Sequence, residues 1–541
     1  MKIIFTLLML LASDWLYCQV PAYSYFYRVY FRDKGENTVS NFTPEELLSP
    51  GALKRRQKAG IATPDISDIP VSMEYINQIS QAGFKLHCTS KWMNTALFKT
   101  QSHADLSFIL GLPFVSDVKI VKTPGIKSLY HDKLFVPTEL AEPPPFDRPV
   151  TMVNGYPLHN SGYDGKGILI AILDGGFVNA DNISSLNDLR NRHGIRATYD
   201  FVNNNDFVFT FHTHGTAVLS VLAGKITGSI EGTAQGADYL LLRTEDVATE
   251  FPCEEDFWAA GAEFADSSGA DIISSSLGYF IFDDPALNYN YSDLNGNTAF
   301  VTRAADVAAS KGILVVNSAG NEREYPWKYI IFPSDGDSVL AAGAVDGNNL
   351  ISYFSSCGPT SDKRIKPDNV AMGVSVPVQV DPTDVMRASG TSFSCPVLSG
   401  MAACLMQAVP RALNTDIIEA LHKAGDRYNS PDSLYGFGIP DMIAALATLQ
   451  DKYVRIPDKE TIESPNPTTG NIEITFQTAP GSLMIEIISL SGKIMYRKEY
   501  PEFAGRTLFN DGLQDMQPGI YFIRLTTGTR TRVHKIIKTR N

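Results

Sequence analysis

Hydrophobic and polar positions follow several different rhythms along this chain, and each predicts a different kind of element. Lys2 is followed by an apolar run from Ile3 to Ala12, and polar sequence resumes after Cys18 at Gln19. That is the pattern of an export signal over residues 1–18, with cleavage expected at Cys18–Gln19. The run is too short to span a bilayer, and no later segment is apolar for long enough to do so, so no integral membrane segment is expected. Between residues 23 and 32, Tyr23, Tyr25, Tyr27, Val29 and Phe31 recur at every second position, the period of a strand. Thr43 before Pro44, Glu45 and Glu46 marks a helix start. Strand-like and helix-like segments continue to about Val121, which predicts a small α+β domain over 19–125. The stretch from Glu142 to Pro149 holds four prolines and reads as a linker, placed at 126–149.

From 150 to 450 short apolar runs at 168–173, 238–242, 271–274 and 313–317 alternate with helical stretches. This predicts an α/β domain: a mostly parallel sheet with helices on both faces, three layers in all, with chemistry at the carboxyl ends of the strands. A charged link (451–461) leads to Pro465-Asn466-Pro467-Thr468-Thr469-Gly470. Five strand-like runs follow, at 472–476, 483–490, 493–499, 519–525 and 532–538, separated by Gly and Pro turns. Residues 462–541 therefore read as a small all-β sandwich.

Composition narrows the class. A chain of 541 residues with 44% hydrophobic and 19% charged residues forms several domains with buried cores. A net charge of −13 argues against nucleic acid as a partner. A lipid-anchored Cys18 is the rival to simple cleavage, but Tyr17 stands where a lipobox wants a small residue. The other cysteines are Cys88, Cys253, Cys357, Cys395 and Cys404, too few and too odd in number for a disulfide framework. They leave room for one bridge, with Cys253–Cys357 the expected pair. Cys395 and Cys404 are expected on one helix and not bonded to each other.

Four segments carry chemistry. In Ile170-Ala171-Ile172-Leu173-Asp174-Gly175-Gly176 an acid ends an apolar strand, a costly place unless it has a partner, and the glycines permit a tight turn. In His212-Thr213-His214-Gly215-Thr216-Ala217 a helix is expected to begin beside His214. The i, i+2 histidines could suggest a metal, but no Cys or third His lies nearby to complete a site. In Ser389-Gly390-Thr391-Ser392-Phe393-Ser394-Cys395-Pro396 a turn leads into a helix, with Ser392 at its start and Pro396 expected in its first turn. A serine needs a base and oxyanion donors to act as a nucleophile, whereas a mere N-cap serine needs neither. In Val315-Val316-Asn317-Ser318-Ala319-Gly320-Asn321 a strand ends in a neutral amide that could donate to an oxyanion, or that simply tolerates a left-handed turn.

In the order Asp, His, Asn, Ser, these segments make the chain resemble the subtilisin-like serine proteases, the subtilases. Ser275-Ser276-Leu277-Gly278 resembles that family's substrate-lining strand, and Phe354–Pro359 with Ile365–Asp368 match its spacing before the serine. The resemblance implies a subtilisin-like fold and a serine endopeptidase. In it Ser392 attacks, His214 transfers the proton, Asp174 orients His214, and Asn321 with the Ser392 N–H holds the oxyanion. Ser276, Leu277, Gly278, Ala319 and Gly320 would line the substrate cleft, and protein or peptide substrates are implied. No cofactor is required for the chemistry and no metal ligand is assigned. Structural calcium is compatible, but the Asp293–Asn297 loop lacks the downstream Glu of a calcium loop. One departure is Val397, where the family carries a histidine.

The first domain resembles a subtilase propeptide, which implies a zymogen cut between about Gly125 and Pro149. The tail resembles the C-terminal sorting domain of the type IX secretion system, through Pro465–Gly470, Leu490-Ser491-Gly492-Lys493, Gly519-Ile520-Tyr521-Phe522 and the basic Lys535–Lys538. This implies a secreted or surface protein, exported across both membranes, with the secretion machinery as its partner. Two rivals remain: a catalytically inactive, surface-displayed binding protein on the same scaffold, and an esterase. The G-x-S-x-G elbow of esterases is missing around Ser392.

Overall fold

The structure is a computed structural model that describes residues 25–124, 144–453, 461–462, 467–470, 472–476, 481–503, 507–510, 512–528 and 530–540. The export signal, most of the expected cut region (125–143), most of the second linker (454–460) and Pro465-Asn466 lie outside the described residues. The chain divides into two units, Met1–Leu449 and Gln450–Asn541.

The first unit begins with a four-stranded antiparallel sheet of β1 (Tyr25–Phe31), β2 (Lys85–Ser90), β3 (Thr95–Thr100) and β4 (Val115–Lys122), in the order β2-β3-β1-β4. Helix α1 (Pro50–Ala59) has Ser49 as its cap, Pro50 in its first turn, and ends at Gly60. The alternation of β1 sorts its side chains onto two faces. Tyr27, Val29 and Phe31 pack with Ile76 and Ile79 of α2 (Met73–Gln81) in a core of their own. Phe26 on the opposite face packs instead with Phe257 and Trp258 of the α/β core.

That core is a seven-stranded sheet of β5 (Leu169–Asp174), β6 (Ile195–Asp200), β7 (Asp238–Arg243), β8 (Ile272–Ser275), β9 (Leu314–Ser318), β10 (Val339–Val345) and β11 (Asn369–Met372). The order is β11-β10-β9-β8-β5-β7-β6, and each adjacent pair is parallel. Helices α3 (His214–Ala223) and α6 (Thr391–Ala408) pack against one another and the sheet. Helices α4 (Cys253–Ser268) and α5 (Phe300–Ser310) pack together over Ala171, Leu173, Leu240 and Leu242. Burial on both faces explains why these strands read as continuous apolar runs.

Two expectations are corrected here. All five cysteines among the described residues are free. Cys253 opens α4 and is buried in the core, whereas the Cys357 thiol donates to the Lys328 carbonyl, so the expected pair is not formed. Pro396 does not lie in the first turn of α6, because the helix already starts at Thr391. A proline there cannot donate to the carbonyl four residues back, that of Ser392. The Ser276 hydroxyl donates to that carbonyl instead, at 2.9 Å. Cys395 and Cys404 do share this helix.

The second unit is all-β. Thr461–Ile462, Ile472–Thr475 and Thr507–Asn510 form one sheet, and Gly481–Ser489, Ile494–Phe503, Gly519–Thr527 and Arg530–Lys538 the other. Ile474, Ile485, Ile487 and Ile523 are buried between them. The strand Thr507–Asn510 was not expected from the sequence pattern.

Candidate active site

Asp174 is the last residue of β5 and is fully buried. The Gly175 N–H donates to its Oδ1 at 2.7 Å. His214 is the first residue of α3, equally buried, and its Nδ1 donates to Asp174 Oδ1 and Oδ2 at 3.0 and 2.9 Å. Two buried carboxylate oxygens fix this tautomer and leave Nε2 as the basic nitrogen. That Nε2 is buried and has no hydrogen-bond partner. Gly176 makes the approach possible: at φ +148° it lies so close to the 210–212 loop that a Cβ would stand 2.5 Å from the Thr210 carbonyl oxygen. His212 braces the start of the same helix, its Nδ1 accepting the His214 N–H at 3.1 Å.

Ser392 is the second residue of α6. Its Oγ rests 3.5 Å from the Ser276 carbonyl oxygen, and the ring of the next residue, Phe393, lies 5.9 Å from the His214 ring. Gly390, the residue before the helix, has φ +147° and ψ 155°, a backbone region open essentially to glycine alone. Asn321 is tied to the same helix start. Its Oδ1 accepts the Thr391 N–H at 2.9 Å and the Thr391 hydroxyl at 3.0 Å, which leaves Nδ2 as the donor. A Cβ on Gly390 would lie 3.6 Å from that Nδ2. Burial lifts the carboxyl of the adjoining Glu322 to about 7.

The sheet thus brings Asp174, His214, Asn321 and Ser392 to the carboxyl ends of β5 and β9 and the starts of α3 and α6. Ser276 and Leu277 are buried directly after β8. Ala319 and Gly320 follow β9, and their carbonyls accept the Ile331 and Ser356 N–H groups. A Cβ on Gly278 would strike Ile331. Sequence reasoning missed Thr391, which aims Asn321, and the Ser276 hydroxyl bond to the helix. Only the missing N–H of Pro396 hinted at the latter.

The sequence profile of the subtilase family matches residues 165–438, more than half of the chain. The chain belongs to the subtilase family. Subtilisin E of Bacillus subtilis is 26% identical over 368 residues, which are 68% of this chain and 84% of that protein. The thermostable alkaline protease of Halalkalibacterium halodurans is 27% identical over 323 residues, 59% of this chain and 78% of the other. Among solved structures, the prenylagaramide maturation protease PagA covers 54% of this chain and 97% of its own, at 22% identity and a TM-score of 0.43. Residues 26–132 match the Peptidase S8 propeptide domain of Bacteroidota, and residues 464–539 a secretion system C-terminal sorting domain. This subtilase is therefore a serine endopeptidase made as a zymogen and secreted through the type IX route to the cell surface or beyond. No helix among the described residues is long and apolar enough to cross a membrane.

Proposed function

We propose that this subtilase cleaves peptide bonds through Ser392, His214 and Asp174, with Asn321 as oxyanion donor. The observation that carries the reading is the bare, buried Nε2 of His214, opposite an Nδ1 held by both oxygens of Asp174. Ser392 Oγ turns from the Ser276 carbonyl to this nitrogen, gives up its proton and attacks the scissile carbonyl. Such bonds are commonly open before substrate arrives. His214 then returns the proton to the leaving amine, while Asp174 stabilises the imidazolium. The oxyanion meets Asn321 Nδ2 and the Ser392 N–H at the positive end of the 18-residue α6. Ser276–Gly278 and Ala319–Gly320 form the walls against which the substrate backbone lies.

No step is assigned to calcium. Among the described residues, the carboxylates able to gather around a cation are those of Glu245, Glu250 and Glu254, with oxygens within 4.8 Å of one another. Glu254 accepts the Asp246 and Phe251 N–H groups and Glu245 the Tyr279 hydroxyl, so these carboxylates hold the loop around them. An inactive binding protein would need none of the four groups aligned. The discriminating experiment is proteolysis of an unfolded protein by wild type and Ser392→Ala: cleavage only by the wild type supports the reading, and equal cleavage overturns it. N-terminal sequencing of the secreted enzyme tests the zymogen cut, with a start between Gly125 and Pro149 expected and a start at Gln19 contradicting it.

A further inference from the structure

The last propeptide strand, β4, ends at Lys122, and this side chain is seated on the catalytic core. Its Nζ donates to the Thr249 hydroxyl at 3.0 Å and to Asp246 Oδ2 at 3.3 Å. It lies 5.5 Å from the centre of the Phe251 ring and 5.8 Å from that of Phe26. Behind Asp246, whose N–H donates to Glu254 Oε1 at 2.9 Å, stand Glu245 and Glu250. An ammonium over an aromatic face, beside a carboxylate and a hydroxyl, is a chemically complete seat for a cationic side chain.

The seat is built into the rim of the candidate cleft. Asp246, Thr249 and Phe251 lie between β7 and α4. Tyr279, the residue after Gly278, donates its hydroxyl to Glu245 Oε2 at 3.1 Å, and the Asp283 N–H donates to the Glu250 carbonyl at 2.9 Å. The segment carrying the seat and the proposed substrate strand are therefore held together. Lys122 also precedes the region where the zymogen is expected to be cut, so in sequence it lies on the N-terminal side of that bond.

We propose that this seat is a substrate subsite: after the propeptide leaves, Asp246, Thr249 and Phe251 take a lysine or arginine side chain of a peptide substrate, upstream of the bond to be cleaved. Lys122 is its internal occupant in the zymogen. The inference rests on the reading of Ser392 as nucleophile. A plain interface ion pair would also bring Lys122 to Asp246, but it would leave no substrate preference behind.

The test is a matched series of fluorogenic peptides with Lys, Gln or Glu at each of the eight positions before the scissile bond, cleaved by the processed enzyme. At one position kcat/KM for Lys is expected to exceed that for Gln about fivefold, the scale of a partly exposed charge pair, with Glu lower still. Added salt reduces the ratio. Asp246→Asn brings it close to one, and Asp246→Lys turns it in favour of Glu. Cleavage of the series without a basic preference at any position, or a preference untouched by both substitutions, overturns the subsite alone. A wild type that cleaves none of the peptides overturns the protease reading and the subsite with it.

Discussion

In the cleft, His214 keeps a buried nitrogen bare and Ser392 Oγ donates to the Ser276 carbonyl only at 3.5 Å. At the contact between propeptide and catalytic core the opposite holds. Arg28 of β1 is buried, donates to both oxygens of Asp256 at 2.6–2.9 Å and to the Pro252 carbonyl at 2.8 Å, and stacks 3.7 Å from the centre of the Phe300 ring. Glu263 on α4 accepts the Ser90 hydroxyl at 2.6 Å and the Lys91 and Trp92 N–H groups at 3.0 Å. Arg55 and Arg56 both pair with Asp266. One region leaves a catalytic nitrogen bare for a molecule not yet there; the other pairs its buried charges with a domain that is later removed. The contact is not free of unpaired atoms, since Arg56 Nε and Trp92 Nε1 are buried without a partner, but its charged groups are paired.

The largest effect that follows is in the cleft. Ser392→Ala should cost about 10⁶ in turnover, the loss known for the serine of subtilisin itself, read by peptide hydrolysis. A drop of less than tenfold would place the nucleophile elsewhere. At the contact, Arg28→Ala leaves Asp256 and Glu255 buried beside an empty site. Measured by denaturant unfolding of the Ser392→Ala zymogen, this should destabilise the first unit by about 3–5 kcal/mol. A loss below about 1 kcal/mol would mean that the Arg28–Asp256 pair is not formed in solution. Asn321→Ala should lower kcat by about 10²–10³, as removal of the corresponding donor does in subtilisin, with KM little changed.

The smallest effect is a pH dependence. His87 of β2 donates Nε2–H to the Phe201 carbonyl at 2.9 Å, and burial pushes its ring from 6.5 down to about 4. The folded zymogen therefore refuses a proton that the unfolded chain accepts. This stability is complete above about pH 6.5 and is lost as pH falls towards 4, by up to about 3 kcal/mol. His87→Gln, which can keep the donor to Phe201, should flatten that part of the stability profile. An unchanged slope would assign the acid sensitivity to other groups.

Much of the cleft was legible because its residues are local in sequence: strand end and acid, histidine and helix start, glycine turn and serine. The three-layer sheet was legible for the same reason, since strands buried on both faces carry continuous apolar runs. The propeptide contact was not. The alternation of β1 identified the Tyr27–Phe31 face but pointed to no role for Arg28, whose partner Asp256 lies 228 residues away. Pro396 was misplaced for a related reason: the hydroxyl that replaces its missing N–H comes from Ser276. Cysteine count alone could not tell that Cys253 faces the core rather than Cys357.

On the proposed mechanism the bare nitrogen of His214 activates Ser392 and no other hydroxyl. Its most direct test is to treat the processed enzyme with a fluorophosphonate and map the adduct by peptide mass spectrometry. A single adduct is expected on Ser392, accumulating in proportion to lost proteolysis and absent from His214→Ala. An adduct on another residue, or full proteolysis after Ser392 is modified, would contradict it.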